Sequence, residues 1–405
     1  MKVLRDYQKE GVERAVKNFN SKTPYFFLLF GPRKGKTLTA VEICNRFKAR
    51  KVLVLCPPIV IPVWRKEFEE NSPISNVGIH SSSKIPDDKT KYDIIIFDEV
   101  HGYRNRSDRA QNAWKLKGKF KLGLSATPIE SYDSEMFYIM RLMDGGTLFG
   151  KNREAYEKSF CRPIDPMSVY TKYEFTDKVR EAFSCFFDKV SMSYQVDMDL
   201  PEMEKIVYQV TDKQKDILKR LKVKRFIPEI RNEHFGKGKA IIGNKERQLL
   251  GGFYIFDDGR STAVCRTNKW SVLLDTVRKH GSENVLLWCF YRQEVAYLLA
   301  LFPESKELSS STLQEMRQGK LRILVANPRS ASVGIDVSCA DVQIFVTIPH
   351  SSIDYTQSIH RLSKHGDDAT KKSLYELVPS NANYKSHLKS KIDRVEDFLN
   401  LATGG

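Results

Sequence analysis

The sequence predicts an α/β protein with two parallel-sheet lobes and a helical insertion, and three observations predict it. Short apolar runs alternate with helical patterns towards both ends of the chain, as in parallel sheets covered by helices. A glycine loop ending in Gly35-Lys36-Thr37 lies between one such run and a helical pattern. From about residue 151 to 260 the strand runs thin out and charged helical patterns replace them. The expected organisation is therefore a first lobe over 1–150, a basic helical insertion and linker over 151–260, and a second lobe over 261–405. A chain of 405 residues suits two domains of ordinary size with an insertion.

Taken in order, Leu4 to Val12 opens a helix ahead of the first strand. Tyr25–Phe30 is a run of aromatic residues and leucine, which suits a strand buried on both faces. The loop Gly31-Pro32-Arg33-Lys34-Gly35 follows, and Leu38 to Ile43 reads as a helix. Strand, glycine loop, Gly-Lys-Thr and helix together form a phosphate-binding arrangement: backbone N–H groups at a helix N-terminus hold phosphate oxygens. Lys36 would reach the outer phosphates and the Thr37 hydroxyl would hold Mg²⁺. The pattern departs from the usual one, because Phe30 stands where the first glycine belongs and Gly31 comes one residue late. Taken alone, the loop is equally compatible with a tight strand-to-helix turn carrying a surface lysine.

Further strands are expected at Lys51–Cys56, Tyr92–Phe97 and Phe120–Leu124. Asp98-Glu99-Val100-His101 follows the second of these and Ser125-Ala126-Thr127-Pro128 the third. An acidic pair at the C-terminal edge of a parallel strand is where the second half of a phosphate site belongs. Asp98 would hold Mg²⁺, and Glu99 would orient or deprotonate an attacking water. After the insertion, strands are expected at Val285–Cys289, Leu321–Ala326, Val342–Ile348 and Leu374–Val378, with a polar helix over Tyr384–Leu401. Trp114, Trp270 and Trp288 read as core residues.

Charge adds a partner class. The net charge is +16, and Lys213 to Arg247 holds twelve Lys/Arg against four Asp/Glu, a net +8. That concentration favours a surface that contacts phosphates, with Lys237, Lys239 and Lys245 as candidates, over a merely solvated helical face. The seven cysteines are scattered singly with no Cys-x-x-Cys pair, which argues against zinc and a disulfide framework. No apolar run approaches the roughly 18 residues needed to cross a membrane, and Met1 to Asp6 opens no signal-peptide core. A cytoplasmic location, or a nuclear one in a eukaryote, is expected.

In this order and spacing, Gly-Lys-Thr, Asp-Glu-x-His and Ser-Ala-Thr-Pro resemble the motifs of superfamily 2 helicases and translocases, and their details are most like the Swi/Snf-type branch. Leu4 to Gly11 resembles that branch's N-terminal glutamine motif, which implies that Gln8 reads the adenine. Val52 to Pro57 with Trp64 to Phe68 resembles a DNA-backbone contact, implicating Pro57 and Trp64. Asn284 to Tyr291, Ala331 to Asp336 and Gln357 to Gly366 resemble the three motifs of the second lobe. The resemblance implies two RecA-like lobes, with ATP and Mg²⁺ as cofactors and Gly31, Gly35, Lys36 and Thr37 as the phosphate loop. It places Asp336 at the ribose and implies that Ser125, Thr127 and Gln357 couple hydrolysis to DNA; His101 could share that role or make an ordinary polar contact. It also implies that Arg361 or Lys364 supplies a cation to the transferring phosphoryl group. Lys364 departs from the family's second arginine and lacks its planar fork. The implied function is an ATP-dependent translocase or helicase, compact and of phage or bacterial type, acting on duplex, branched or single-stranded DNA and compatible with a monomer. An RNA helicase and a nucleic-acid-binding protein with a degenerate ATPase fold are the alternatives; intact Lys36, Thr37, Asp98, Glu99 and Arg361 argue against the second.

Overall fold

A computed structural model describes residues 2–19, 21, 23–86, 90–164, 172–195, 201–224, 239–256, 258–328, 336–349, 351–362, 372–380 and 393. They form two compact units, the first mainly within residues 1–198 and the second mainly within 199–350 and 354–386. Each unit is built on one six-stranded parallel sheet, so the expected class, two RecA-like parallel-sheet lobes, is the one observed.

In the first unit, helix α1 (Asp6–Phe19) precedes strand β1 (Tyr25–Phe30), and α2 (Lys36–Arg46) leads to β2 (Val52–Cys56). Helix α3 (Ile61–Asn71), β3 (Val77–Ser81), β4 (Lys91–Asp98), α4 (Asp108–Trp114) and β5 (Lys117–Leu124) follow. Next come α5 (Met136–Asp144), α6 (Arg153–Phe160), the short antiparallel pair β6 (Cys161–Pro163) and β7 (Tyr173–Phe175), α7 (Asp177–Val190) and β8 (Ser191–Tyr194). The strand order is β3-β2-β4-β5-β1-β8. All six residues of β1 are buried, as the unbroken apolar run requires of a strand covered on both faces. Phe27, Phe97, Phe137, Phe175, Phe183 and Phe187 share one core cluster, so helices α5 and α7 belong to this unit's packing.

The second unit begins its sheet with β9 (Met203–Tyr208). Helices α8 (Asp212–Lys224) and α9 (Lys239–Leu250) and the hairpin β10 (Phe253–Ile255) and β11 (Ser261–Ala263) come next. The alternation then runs α10 (Lys269–Lys279), β12 (Val285–Trp288), α11 (Arg292–Leu301), β13 (Lys306–Glu307), α12 (Ser310–Arg317), β14 (Ile323–Ala326), β15 (Val342–Phe345), helix Ser352–Ile359 and β16 (Ser373–Pro379). The sheet order is β13-β14-β12-β15-β16-β9.

The stretch 151–260, expected as one insertion, is shared between the units. Strand β8 pairs in parallel with β1, and β9 with β16. Helices α8 and α9 pack through Ile217, Leu221, Ile242 and Leu249 into a cluster of their own with Tyr254. The helix expected over Tyr384–Leu401 lies outside the described residues save for position 393.

The central strand β5 carries a lysine. Lys121 lies between Tyr25 and Ile95 in the sheet register and donates to the Leu142 carbonyl at 2.5 Å. Burial lowers its pKa to about 8, and Asp144 opposes that shift. The unfolded chain therefore holds this proton up to a higher pH than the folded one, and stability from this group rises between pH 8 and about 10.5. In urea unfolding, the stability difference between wild type and Lys121→Met should move in favour of the wild type across that window, by up to about 1.4 kcal/mol per unit of depression. A difference that does not change with pH would contradict the burial argument.

Candidate nucleotide site

The C-terminal ends of four adjacent strands, β4, β5, β1 and β8, bring the expected site residues of the first unit together. Phe30 is the last residue of β1, fully buried, with its ring edge-on to Tyr7 at 5.4 Å. The loop expected to hold phosphate thus starts at Gly31, because β1 runs on through Phe30. Arg33 has φ 60° and Gly35 φ 75°. The left-handed conformation costs a non-glycine residue roughly 1–2 kcal/mol, which is why Arg33 is unusual in such a loop. At Gly35 a Cβ would come within 2.3 Å of Gln8 Nε2, so the position needs glycine for space as well as for conformation. Gly35 caps α2 without a side-chain hydrogen bond. The first N–H groups of that helix are therefore unclaimed by a capping side chain, which is the feature that suits phosphate oxygens.

Lys36 Nζ reaches back over the loop to the carbonyls of Phe30 at 2.9 Å and Gly31 at 3.4 Å. Gln8, expected to read adenine, is nearly buried against the same loop. Its amide donates to Gly35 at 3.3 Å and accepts from the Arg5 N–H at 2.8 Å. In this structure it clamps the loop. Tyr7 donates to the Lys34 carbonyl at 3.0 Å and stacks flat on Tyr194, with centroids 3.6 Å apart.

Asp98 ends β4, and Glu99 follows with φ 52° and ψ 58°. A carboxylate residue held in the left-handed region stores backbone strain of the kind that collects at functional sites. Asp98 accepts the Glu99 N–H at 3.1 Å and the Trp64 indole N–H at 2.9 Å, one on each oxygen. Burial and, next, the Glu99 carboxylate push Asp98 up to about 6; the Trp64 bond and the Lys36 ammonium pull the other way. A carboxylate and a hydroxyl are hard oxygen donors, so Asp98 and Thr37 are of the chemical type that suits Mg²⁺.

His101 Nδ1 lies 3.2 Å from Glu99 Oε2 and 3.1 Å from Ser125 Oγ. Ser125 Oγ donates to the Thr127 carbonyl at 2.7 Å and accepts the Thr127 N–H at 3.1 Å. The acidic pair and the Ser-Ala-Thr turn are thus joined through one imidazole. Thr127 Oγ1 is buried without a hydrogen-bond partner among the described residues. Gln195, which follows β8, extends the connection: its amide donates to Leu29 at 3.0 Å and to Ala126 at 3.2 Å. Neither Gln195 nor Tyr194 carries a sequence signal that singles it out.

Two expected DNA contacts are corrected. Trp64 is fully buried on α3, with its N–H on Asp98, so it does not face a polynucleotide. Pro57, half-buried, precedes the exposed Pro58 and Ile59, and Val63 is exposed on α3. Lys245 is only 7% exposed. Its ammonium donates to the Ile255 carbonyl at 2.6 Å and lies 4.1 Å from the centre of the Tyr254 ring. Lys237 lies outside the described residues; Lys239 begins α9, with its side chain outside them.

In the second unit, Asp336 accepts the Ser338 N–H at 3.0 Å, and its carboxylate lies 3.6 Å from Arg317 Nη2. That geometry closes a turn. Gln357 is buried on the helix Ser352–Ile359, and Arg361, two residues past its end, is 9% exposed. Lys364 lies outside the described residues.

No protein-family model matches the chain. Over 97% of its length it is 21% identical to the uncharacterized ATP-dependent helicase YqhH of Bacillus subtilis, of which it covers 80%. Two solved structures are similar in outline, both SWI2/SNF2 ATPase cores from Sulfolobus solfataricus. One is in complex with dsDNA (TM-score 0.45, 17% identity, 98% of this chain and 92% of that one). The other is the core domain (TM-score 0.44, 16% identity, 99% and 89%).

Proposed function

We propose that the chain is a nucleic-acid-dependent ATPase, a translocase or helicase that couples ATP hydrolysis to movement on, or remodelling of, duplex or branched DNA. The observation that carries this reading is the meeting of an uncapped α2 N-terminus, Lys36 and the Asp98-Glu99 pair at one edge of a parallel sheet. A helicase relative matched over nearly the full chain supports the same chemistry. The charge of +16 supports a polyanionic partner.

In this reading the N–H groups of the Gly31–Thr37 loop bind the phosphates. Lys36 leaves the carbonyls of Phe30 and Gly31 to neutralise the outer phosphate oxygens. Asp98 and the Thr37 hydroxyl would hold Mg²⁺, which supplies charge neutralisation on the phosphates when bound. Glu99, whose backbone is left-handed just past the end of β4, orients and deprotonates the attacking water. His101, whose Nδ1 is within reach of both Glu99 and Ser125, would connect the two. The cation that neutralises the transferring phosphoryl group is assigned to Arg361 or Lys364, the base-side contact to Gln8 and the ribose contact to Asp336. Gln8 and Asp336 would each have to give up a hydrogen bond present here.

Two variants test the chemistry. Glu99→Gln should keep ATP binding within a few-fold of wild type and lower turnover by about 10²–10⁴, the usual span for a general base. Lys36→Ala should weaken ATP binding by roughly ten-fold or more, about 1.4 kcal/mol. Wild-type turnover in Glu99→Gln would remove Glu99 from its role.

The polynucleotide contact is tested by salt dependence. Neutralising Lys237 and Lys239 together should weaken DNA binding and flatten its salt slope by about one unit per lost phosphate contact. Lys245→Ala should instead lower the melting temperature and leave the slope alone, because its ammonium is committed inside the α9–hairpin cluster. A slope changed by Lys245→Ala and unmoved by the other pair would reverse the assignment.

A further inference from the structure

We propose that Trp64 is a positioning residue of the nucleotide site: its indole N–H fixes the Asp98 carboxylate for the metal that accompanies ATP. The inference rests on the ATPase reading and deepens it.

Trp64 lies on the inner face of α3. Val60, Phe68 and Asn71 are buried with it, and its ring is fully buried and tilted against Phe68 at a centroid distance of 6.1 Å. Such a ring has few rotamers open to it, so the direction of its N–H is set by packing. That N–H ends 2.9 Å from Asp98 Oδ2, while the Glu99 N–H holds Oδ1 at 3.1 Å. With one donor on each oxygen, the plane of the carboxylate is fixed before any ligand arrives. Each oxygen keeps further lone-pair capacity, so the two donors orient the group and leave it able to accept more. Hydrogen bonds to a ligating carboxylate from beyond the ligand set typically govern metal affinity by 10–100-fold.

The placement of α3 gives this bond a second meaning. The same segment begins at Pro57 and exposes Ile59 and Val63 within one to two turns of Trp64. A polynucleotide resting on that exposed start would bear on the helix that aims the indole. Trp64 is thus the inward end of a segment whose outward end was expected to touch DNA.

The test removes the N–H and keeps the ring. Full-length wild type and Trp64→Phe are compared by equilibrium binding of a fluorescent ADP with Mg²⁺ and with EDTA, by the Mg²⁺ concentration for half-maximal turnover, and by melting temperature. The expected result is a ten-fold or greater rise in the Mg²⁺ requirement, a matching loss of the Mg²⁺-dependent part of nucleotide binding, and unchanged binding in EDTA. In an Asp98→Asn background, Trp64→Phe should produce no further change in Mg²⁺ dependence, which a merely structural role would not predict. If Trp64→Phe does not fold, a benzothienyl-alanine at position 64 replaces the N–H by sulfur within a ring of the same shape. Unchanged Mg²⁺ dependence in a folded variant overturns the role of Trp64 alone. Wild-type nucleotide binding that is indifferent to both Mg²⁺ and Lys36→Ala would overturn the ATPase reading itself.

Discussion

Parallel pairing of β1 with β5, and of β5 with β4, is the constraint on which the site depends. Strands that run the same way deliver their following loops to the same edge. Three segments separated by up to about a hundred residues, the Gly31–Thr37 loop, Asp98-Glu99 and Ser125-Ala126-Thr127, are brought together by that geometry alone. The neighbouring β8 adds Gln195 to the same edge. Weakening the sheet register at β5 would move the acidic pair relative to the phosphate loop, since β5 is the strand between them.

The second consequence concerns how the loops are held. The left-handed backbone at Arg33 and Glu99 is strained, and surrounding contacts must hold it. Around the loop these are the Gln8 amide, the Tyr7 hydroxyl and the Lys36 ammonium. Around the acidic pair they are Trp64, His101 and the Asp98 contact to the Glu99 N–H. Half of these holding groups, Tyr7, Gln8 and Trp64, come from α1 and α3, outside the loop and the acidic pair. A site of this kind is sensitive to residues with no contact to substrate.

The long buried strands were legible in the sequence because unbroken apolar runs can be satisfied only between two covered faces; Tyr25–Phe30 and Val52–Cys56 are the clearest cases. The edge strands β3, β8, β9 and β13 were not. They are short or only partly buried, as at Val207, and such strands carry little periodic signal. The residues of the phosphate loop and acidic pair could be named from spacing, whereas the direction of individual side chains could not. Resemblance puts Trp64 on DNA, whereas Val60, Trp64 and Phe68 follow each other at four-residue spacing and so mark a buried helix face. Lys245 shows the same lesson. It shares a face with Ile242 and Leu249, at spacings of three and four, and that face is in the core. Net charge over a segment located a basic region without showing which lysines point outward.

One measurement tests the ATPase reading most directly: ATP turnover by the full-length protein at saturating ATP and low salt, with duplex DNA, RNA of equal length or no polynucleotide, and with Lys36→Ala as the control. The account predicts turnover that duplex DNA raises several-fold above both other conditions and that Lys36→Ala abolishes. Equal stimulation by RNA would move the substrate assignment away from DNA, and no Lys36-dependent turnover under any condition would contradict the reading of this site as an ATPase.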